Sequence, residues 1–213
     1  MALQLCSPPG DALRARLGMS VTTHLLYLHG FRSSPQSLKA RKMAAWIAQA
    51  FPHVTWWCPQ LPASPRQAIE AVLAGVADWP RSRMAVVGSS LGGFYASCLA
   101  QQLDCPAVLI NPAVHPSRDL AKYIGEQAAW HDPAQSIFFD AAYIQELQAL
   151  ESQARSTAPQ TLALIAKGDE VLDWREMLAR HQAGRVHLIE GSDHALSDFD
   201  LYKAEILEFL RLV

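Results

Sequence analysis

The sequence lacks the charge imbalance of a nucleic-acid-binding protein and the long apolar runs of a membrane protein. Its 18 lysines and arginines and 20 aspartates and glutamates leave a formal net charge of −2 at pH 7, so nothing electrostatic favours nucleic acid or an anionic membrane as a partner. No apolar run approaches the roughly 20 residues of a transmembrane helix, and we predict no membrane span. Hydrophobic residues make up 50% of the chain, which is typical of a globular protein.

Cysteine is scarce and irregularly spaced. The four cysteines (Cys6, Cys58, Cys98 and Cys105) form no C-x-x-C pair and no disulfide framework, so we predict free thiols in a reducing, cytoplasmic compartment. No pair of histidine and acidic residues has metal-ligand spacing with a plausible third ligand, and we predict no metal site. The glycine motifs of Rossmann and P-loop nucleotide binders, Gly-x-Gly-x-x-Gly and Gly-x-x-x-x-Gly-Lys, are also missing, which disfavours those folds.

The first residues differ in composition from the rest. Residues 1–18 contain two prolines and two arginines but no apolar segment of the kind that a signal peptide needs. We predict a loosely attached N-terminal extension over residues 1–22, with Met19 as an alternative start, followed by one domain over residues 23–213. A chain of 213 residues is long enough for one domain with a substantial core.

Six short apolar runs alternate with helical patterns through this domain. The alternation predicts a mostly parallel six-stranded sheet with helices on both faces. Ser34 followed by Pro35 suggests the start of the first helix. The predicted strands are residues 23–28, 54–58, 83–87, 106–110, 161–166 and 186–189, and the predicted helices are about residues 35–51, 65–79, 94–102, 173–181 and 201–212.

The third predicted strand ends in a Gly-x-Ser-x-Gly motif at residues 88–92. A helix-compatible run follows it, and strand, sharp turn and helix together form a nucleophile elbow, in which the central serine is exposed at the tip of the turn. Glycines at positions 88 and 92 avoid side-chain collisions across the turn. The motif predicts Ser90 as a nucleophile, whereas the adjacent Ser89 cannot occupy the central position.

Polar residues that could serve this serine follow other predicted strands. A serine hydroxyl needs a base within hydrogen-bond reach, and His194 follows the sixth strand. Asp169 follows the fifth strand and could hold the imidazole in the required tautomer. The carboxyl ends of parallel strands share one edge of the sheet, so we expect Ser90, Asp169 and His194 to meet there. Asp173 remains an alternative acid, or else an N-cap of its helix.

Two backbone N–H groups are candidates for an oxyanion hole, which stabilises the negative charge on an attacked carbonyl oxygen. One is that of Leu91, directly after the serine, and the other is that of Phe31, in the loop after the first strand. Gly30 would let this loop approach the site closely. We predict that His29 is structural and orients the loop.

These motifs resemble those of α/β-hydrolases, and specifically of the small bacterial YqiA/YcfP-like esterases. The resemblance covers about residue 23 to the C-terminus and implies a serine esterase that acts on carboxylic esters or acyl thioesters without a cofactor. The order serine, aspartate, histidine along the chain is also that of an α/β-hydrolase. The alternatives are an acyl-CoA thioesterase with the same triad, and a catalytically idle hydrolase fold that binds a ligand. The matching blocks are residues 27–35, 88–93, 168–173 and 193–195.

Residues 113–159 interrupt the alternation of strands and helices. Helical patterns over about residues 119–129 and 141–155 flank an aromatic-rich stretch, and no strand is predicted, so we expect a small helical lid. Its aromatic residues either line an acyl pocket or pack the lid onto the body, and the sequence leaves both possibilities open. These residues are Tyr123, Trp130, Phe138, Phe139 and Tyr143.

Overall fold

The computed structural model describes residues 21–128, 136–153 and 160–212. Most of the predicted N-terminal extension, including Cys6 and the alternative start at Met19, lies outside the described residues. So does Trp130 of the predicted lid.

A parallel sheet of six strands forms the centre of the molecule. The strands are β1 (His24–Leu28), β2 (Thr55–Trp57), β3 (Met84–Ser89), β4 (Ala107–Ile110), β7 (Thr161–Ala166) and β8 (Arg185–Ile189). Their spatial order is β2-β1-β3-β4-β7-β8, and every neighbouring pair is parallel. β3, β4 and β7 are buried along their whole length, as expected for strands covered by helices on both faces. The predicted six-stranded α/β fold is confirmed.

Seven α-helices are described, and they cover both faces of the sheet. Leu26 and Leu28 of β1 face one apolar cluster and Leu25 and Tyr27 face the other, because successive side chains of a strand point to opposite sides. The first cluster includes side chains of α2, α3, α5 and α6, and the second those of α1 and α7. The helices are α1 (Leu38–Ala50), α2 (Pro65–Gly75), α3 (Leu91–Leu103), α4 (Pro116–Leu120), α5 (Ala142–Gln153), α6 (Trp174–His181) and α7 (Lys203–Phe209).

The first helix begins later than the sequence suggests. Ser37 is the residue before α1, whereas the Ser34 hydroxyl accepts a hydrogen bond from Gln36 N at 3.1 Å within the preceding turn. The predicted N-cap at Ser34 is therefore wrong. A serine before a proline is equally suited to a turn, so local sequence does not separate the two roles.

The insertion between β4 and β7 contains two strands as well as helices. β5 (Gly125–Ala128) and β6 (Ser136–Phe139) pair antiparallel, so the predictions of a helix over residues 119–129 and of no strand in the insertion are wrong. Gly125 has a φ of +111°, which ends the preceding helical turn, and burial then alternates residue by residue along β5. Four residues of alternation are too short a pattern to identify from sequence.

The described part of the insertion is anchored to the body through α5. The Glu146 carboxylate accepts hydrogen bonds from Ser64 Oγ at 2.7 Å and Arg66 N at 3.0 Å, at the N-terminus of α2. Within the insertion itself, the Glu151 carboxylate accepts from the backbone and hydroxyl of Ser117, both at 2.8 Å, and so ties α5 to the N-terminus of α4. Carboxylates are favourable at helix N-termini, where backbone N–H groups lack partners.

No helix within the described residues is both long and apolar enough to cross a lipid bilayer.

Candidate active site

Ser90 lies in a strained turn between β3 and α3. Its φ of 57° and ψ of −123° are unfavourable for a side-chain-bearing residue. The surrounding backbone holds this conformation: Ser90 N donates to Ile110 O at 2.9 Å, and Ser90 O accepts from Ala113 N at 3.1 Å. A Cβ on Gly92 would lie 2.1 Å from Leu28 O, so only glycine lets α3 start this close to β1. The local geometry is that of the predicted elbow.

Ser90, His194 and Asp169 form a continuous hydrogen-bonded chain. His194 Nε2 lies 3.0 Å from Ser90 Oγ, and His194 Nδ1 lies 2.7 Å from Asp169 Oδ2. The Asp169 side chain is 0% exposed and that of His194 is 20% exposed. Because an ionised carboxylate only accepts hydrogen bonds, the Nδ1 atom carries the imidazole proton. The Nε2 atom can then accept a proton from the serine hydroxyl.

The two carboxylates that compete in the sequence occupy different positions. Asp169 Oδ1 accepts from the backbone N–H groups of Val171 and Leu172, both at 2.8 Å, which leaves Oδ2 directed at the imidazole. Asp173 instead caps α6 by accepting from Arg175 N at 2.9 Å, and its side chain is 49% exposed. The structure therefore brings Asp169, and not Asp173, to the histidine.

Asn111 connects the loop that carries His194 to the rest of the sheet. Its Nδ2 donates to Asp193 O at 3.0 Å and His194 O at 3.1 Å, while its Oδ1 accepts from Ala166 N at 2.8 Å. Asn111 is fully buried and has a φ of 40°, a conformation that asparagine tolerates better than most residues. Glu170 fixes the same loop from outside, because its carboxylate accepts from His194 N at 3.0 Å.

Asn111 was not predicted as a site residue, although the sequence contains a signal for it. It is the only asparagine of the chain, and it directly follows the fourth strand, at the edge of the sheet where the other site residues were expected.

Lys39, in the first turn of α1, was also missed. Its Nζ donates to Ala195 O at 2.5 Å, next to the histidine. Burial lowers the pKa of Lys39 to about 8, and the nearby carboxylates of Asp193 and Asp169 oppose this shift. No property of the sequence around residue 39 indicates this placement, because the contact joins residues that are 156 positions apart.

The two predicted oxyanion donors lie beside the serine. Leu91 is the first residue of α3, so its N–H has no acceptor within the helix. Phe31 lines the same cavity as Leu91, Ser90 and His194. A Cβ on Gly30 would lie 3.2 Å from Ser90 Cβ, so a glycine at this position lets the Phe31 loop approach the serine closely.

His29 holds the Phe31 loop in place. Its Nε2 accepts from Leu61 N at 3.2 Å, and its Nδ1 lies 3.0 Å from Gly30 O. Since Nε2 accepts from a backbone N–H, the proton is on Nδ1, which donates to the carbonyl. This buried histidine therefore connects the Phe31 loop to the segment that carries Leu61, as expected of an orienting residue.

Aromatic residues of the insertion pack around Phe31. The ring centroids of Tyr123 and Phe139 lie 5.7 Å and 5.1 Å from that of Phe31, and Tyr143 packs behind Phe139 at 5.5 Å. Phe139 is fully buried, whereas Phe138 is 59% exposed. The lid aromatics therefore divide between the two roles that the sequence left open: Phe139 packs the lid onto the body, and Tyr123 also lines a cavity beside Ser90.

Two cavities meet at Ser90 and His194. The first, of about 280 Å³, is called the lid cavity, and the second, of about 240 Å³, is called the lysine cavity. The lid cavity is lined by residues that include Phe31, Pro116, Leu120, Tyr123, Val171 and Leu172. The lysine cavity is lined by residues that include His29, Ser33, Ser37 and Lys39.

Within the described ranges, no group of three or more histidine, cysteine, aspartate or glutamate side chains could hold a metal ion. Burial raises the pKa of Cys58, Cys98 and Cys105 to about 12. These three thiols are protonated near neutral pH and are unsuited to act as nucleophiles.

Comparison with known proteins gives one family match. The uncharacterised protein family UPF0227 matches residues 24–211, which include every residue of the site described above.

Solved structures with the same fold come from several organisms. A protein of Agrobacterium vitis S4 provisionally named a hydrolase is 19% identical, with a TM-score of 0.71 over 90% of this chain and 91% of the other. Est1E of Butyrivibrio proteoclasticus, solved with ferulic acid bound, is 14% identical, with a TM-score of 0.67 over 89% and 88%. The esterase domain of a Rhodothermus marinus protein is 16% identical, with a TM-score of 0.65 over 90% and 88%. At these identities the likeness shows the fold.

Proposed function

This chain belongs to the uncharacterised protein family UPF0227 and has the α/β-hydrolase fold, and from this premise we propose that it is a serine esterase. The observation that carries the proposal is the hydrogen-bonded chain from Ser90 through His194 to Asp169. A serine hydroxyl at a strained elbow, bonded to an imidazole that a buried carboxylate orients, is activated for nucleophilic attack.

The first half of the reaction forms an acyl-enzyme. Ser90 Oγ attacks the ester carbonyl carbon while its proton moves to His194 Nε2, and the Asp169 carboxylate stabilises the imidazolium. The carbonyl oxygen becomes an oxyanion that accepts hydrogen bonds from the N–H groups of Phe31 and Leu91. Each such donor contributes roughly 3 to 4 kcal/mol to transition-state stabilisation. The bond to the leaving oxygen then breaks, and His194 gives that oxygen its proton.

The second half releases the acid. A water molecule attacks the acyl carbon while His194 Nε2 takes its proton, and the same two N–H groups stabilise the second oxyanion. The bond to Ser90 Oγ breaks, and His194 returns the proton to the serine. The cycle uses one water and no group that the chain must acquire from elsewhere.

The comparisons support an ester as the substrate class. Est1E of B. proteoclasticus binds ferulic acid, and the matched part of the R. marinus protein is an esterase domain. An acyl-CoA thioester could be cleaved by the same atoms. Competition between a simple ester and an acyl-CoA for one preparation of the protein distinguishes these two substrates.

The proposal predicts that Ser90→Ala lowers the rate of p-nitrophenyl butyrate hydrolysis by roughly 10⁴-fold or more, because the nucleophile is lost. Ser89→Ala is the matched control: Ser89 is the buried last residue of β3, and the hydroxyl hydrogen-bonded to His194 Nε2 is that of Ser90. The variant should remain within about tenfold of the wild type on the same ester, since a hydroxyl outside the chain contributes no nucleophile. Circular dichroism checks that both variants are folded. Wild-type rates in folded Ser90→Ala would show that Ser90 is not the nucleophile.

A further inference from the structure

The two cavities beside Ser90 differ in chemistry, and an ester bound there must extend into both. We propose that the substrate is an amphipathic ester, with an anionic group that binds Lys39 in the lysine cavity and an apolar group in the lid cavity. The inference rests on the proposed esterase function and specifies the substrate class for the same site.

The walls of the cavities are the first evidence. The lid cavity presents the side chains of Leu120, Leu172 and Tyr123, which suit an apolar group. The lysine cavity is lined by Lys39, Ser33 and Ser37, whose side chains can all donate hydrogen bonds to an anionic group. Because Ser90 and His194 line both cavities, the two substituents of a bound ester have one cavity each.

The bonds of Lys39 are the second line of evidence. Its ammonium has three donors and gives one to Ala195 O, and no carboxylate of the described residues forms an ion pair with it. The Asp193 carboxylate accepts from Ser197 N at 2.9 Å and Ser197 Oγ at 2.6 Å, and that of Asp169 holds His194. A ligand carboxylate or phosphate could therefore pair with Lys39 without competing for an existing ion pair.

The environment of Lys39 favours an anionic ligand over a neutral one. Burial disfavours its charged form, which is why its pKa lies near 8. A bound anion offsets this desolvation, and a charge-assisted hydrogen bond is about twice as strong as a neutral one.

The lid cavity has charged groups as well, and they provide a rival site for the anion. Asp119 lines it but already accepts from Arg118 Nε at 2.8 Å. Lys122 and Arg32 line it too: Lys122 Nζ lies 5.2 Å from the centroid of the Tyr123 ring, and Arg32 Nε donates to Ala128 O at 2.6 Å. We assign the anion to Lys39 because Lys122 is exposed and Arg32 already has a backbone acceptor, whereas the buried charge of Lys39 gains most from a bound anion. A variant of Lys122 tests the assignment.

The experiment compares kcat/KM for two matched pairs of esters. One pair differs by a carboxylate on the acyl side (mono-p-nitrophenyl adipate and p-nitrophenyl hexanoate). The other differs on the alcohol side (p-carboxymethylphenyl hexanoate and its primary amide). We expect the wild type to prefer the anionic member of at least one pair by about tenfold or more, and Lys39→Met to remove that preference. Lys42→Met, one turn further along α1, and Lys122→Met should keep it.

The ratio of kcat/KM between the anionic and the neutral ester of a pair shows whether Lys39 recognises the anion or has a purely structural role. If Lys39 only held the Ala195 carbonyl, Lys39→Met would slow both members equally and leave the ratio unchanged, which would overturn the proposal. Equal rates for both members of both pairs in the wild type, or loss of the preference in Lys122→Met instead, would also overturn it.

The preference should also depend on pH. Lys39 is charged below its pKa of about 8, so the ratio should be highest near pH 7 and fall as the pH rises towards 9.5, where the carboxylate of the ester stays ionised. The other titratable groups near Lys39 are the carboxylates of Asp193 and Asp169 and the imidazoles of His29 and His194, which line the same cavity. Changes in the general base affect both members of a pair alike and cancel in the ratio. A ratio that stays constant across this range would count against the proposal.

A binding measurement keeps this inference separate from the proposed chemistry. Titration calorimetry of monomethyl adipate into Ser90→Ala should give an affinity about tenfold higher than into the variant that also carries Lys39→Met. Equal affinities would overturn the anion site even if the protein is an esterase. A tenfold difference in a protein that hydrolyses no ester would support the site and contradict the esterase proposal.

Discussion

At the scale of single residues, the site depends on how each polar atom is already bonded. One oxygen of Asp169 accepts two backbone N–H groups and the other faces His194, so the carboxylate cannot rotate without breaking bonds. This division of roles orients the imidazole, whereas the carboxylate four residues further along the chain, that of Asp173, caps α6.

Asp169→Asn should therefore lower kcat for ester hydrolysis by about 10⁴-fold, since an amide opposite Nδ1 favours the wrong imidazole tautomer. Asp173→Asn is the matched control, because asparagine caps a helix about as well as aspartate does, and its activity should stay within about threefold of the wild type. Steady-state kinetics on p-nitrophenyl butyrate measures both. A larger loss of kcat in Asp173→Asn than in Asp169→Asn would show that Asp173 is the acid of the triad.

The meeting of Ser90, Asp169 and His194 was predictable from sequence, whereas the long-range contacts of Lys39 and Asn111 were not, although Asn111 also follows a strand. Ser90, Asp169 and His194 were predicted because parallel strands end at one edge of the sheet, so position in the chain implies proximity. Lys39 and Asn111 contact loops 156 and 82 or more residues away, and neither contact follows from a local pattern. Such pairs become visible only when the order and register of the strands are known.

At the scale of elements, the loop after β8 is held by groups from three other elements. Asn111, after β4, binds the carbonyls of Asp193 and His194 and the N–H of Ala166 at the end of β7. Lys39 of α1 binds the next carbonyl. The position of His194, the base of the proposed reaction, therefore depends on the buried side-chain amide of Asn111.

Asn111→Asp should lower kcat by about 100-fold with a smaller change in KM, because a carboxylate cannot donate to the two carbonyls and the histidine shifts. The variant should also lose about 1–3 kcal/mol of stability, since two hydrogen bonds are lost and a carboxylate replaces a side chain that is fully buried. Val72→Ala, a buried change on α2 that lines neither cavity, controls for destabilisation alone and should keep its kcat. Steady-state kinetics gives kcat for both variants, and urea denaturation gives their free energies of unfolding. An equal loss of kcat in both variants would show that Asn111 has no specific role.

Only some of the secondary structure of the insertion between β4 and β7 could be predicted from the sequence. Its position after β4 and its two flanking helical segments were predictable from the change of pattern. The β5–β6 hairpin was not, because each strand has four residues and is stabilised by its partner rather than by its own sequence.

At the scale of the whole molecule, the sheet brings distant parts of the chain to one edge. Four of its six strands, β1, β3, β7 and β8, lead into loops that carry Phe31, Ser90, Asp169 and His194, and β4 leads into Asn111. These strands are adjacent in the order β1-β3-β4-β7-β8. Because parallel strands end at the same edge of the sheet, the fold itself brings these residues together.

The most direct test of the central claim is covalent labelling of the full chain with a fluorophosphonate, which reacts with activated serine nucleophiles, followed by intact-mass measurement and peptide mapping. The account predicts one adduct per chain, located on Ser90, no adduct in Ser90→Ala, and unimpaired labelling in Ser89→Ala. An unlabelled wild type, under conditions that label a known serine hydrolase, or an adduct on another residue, would contradict it.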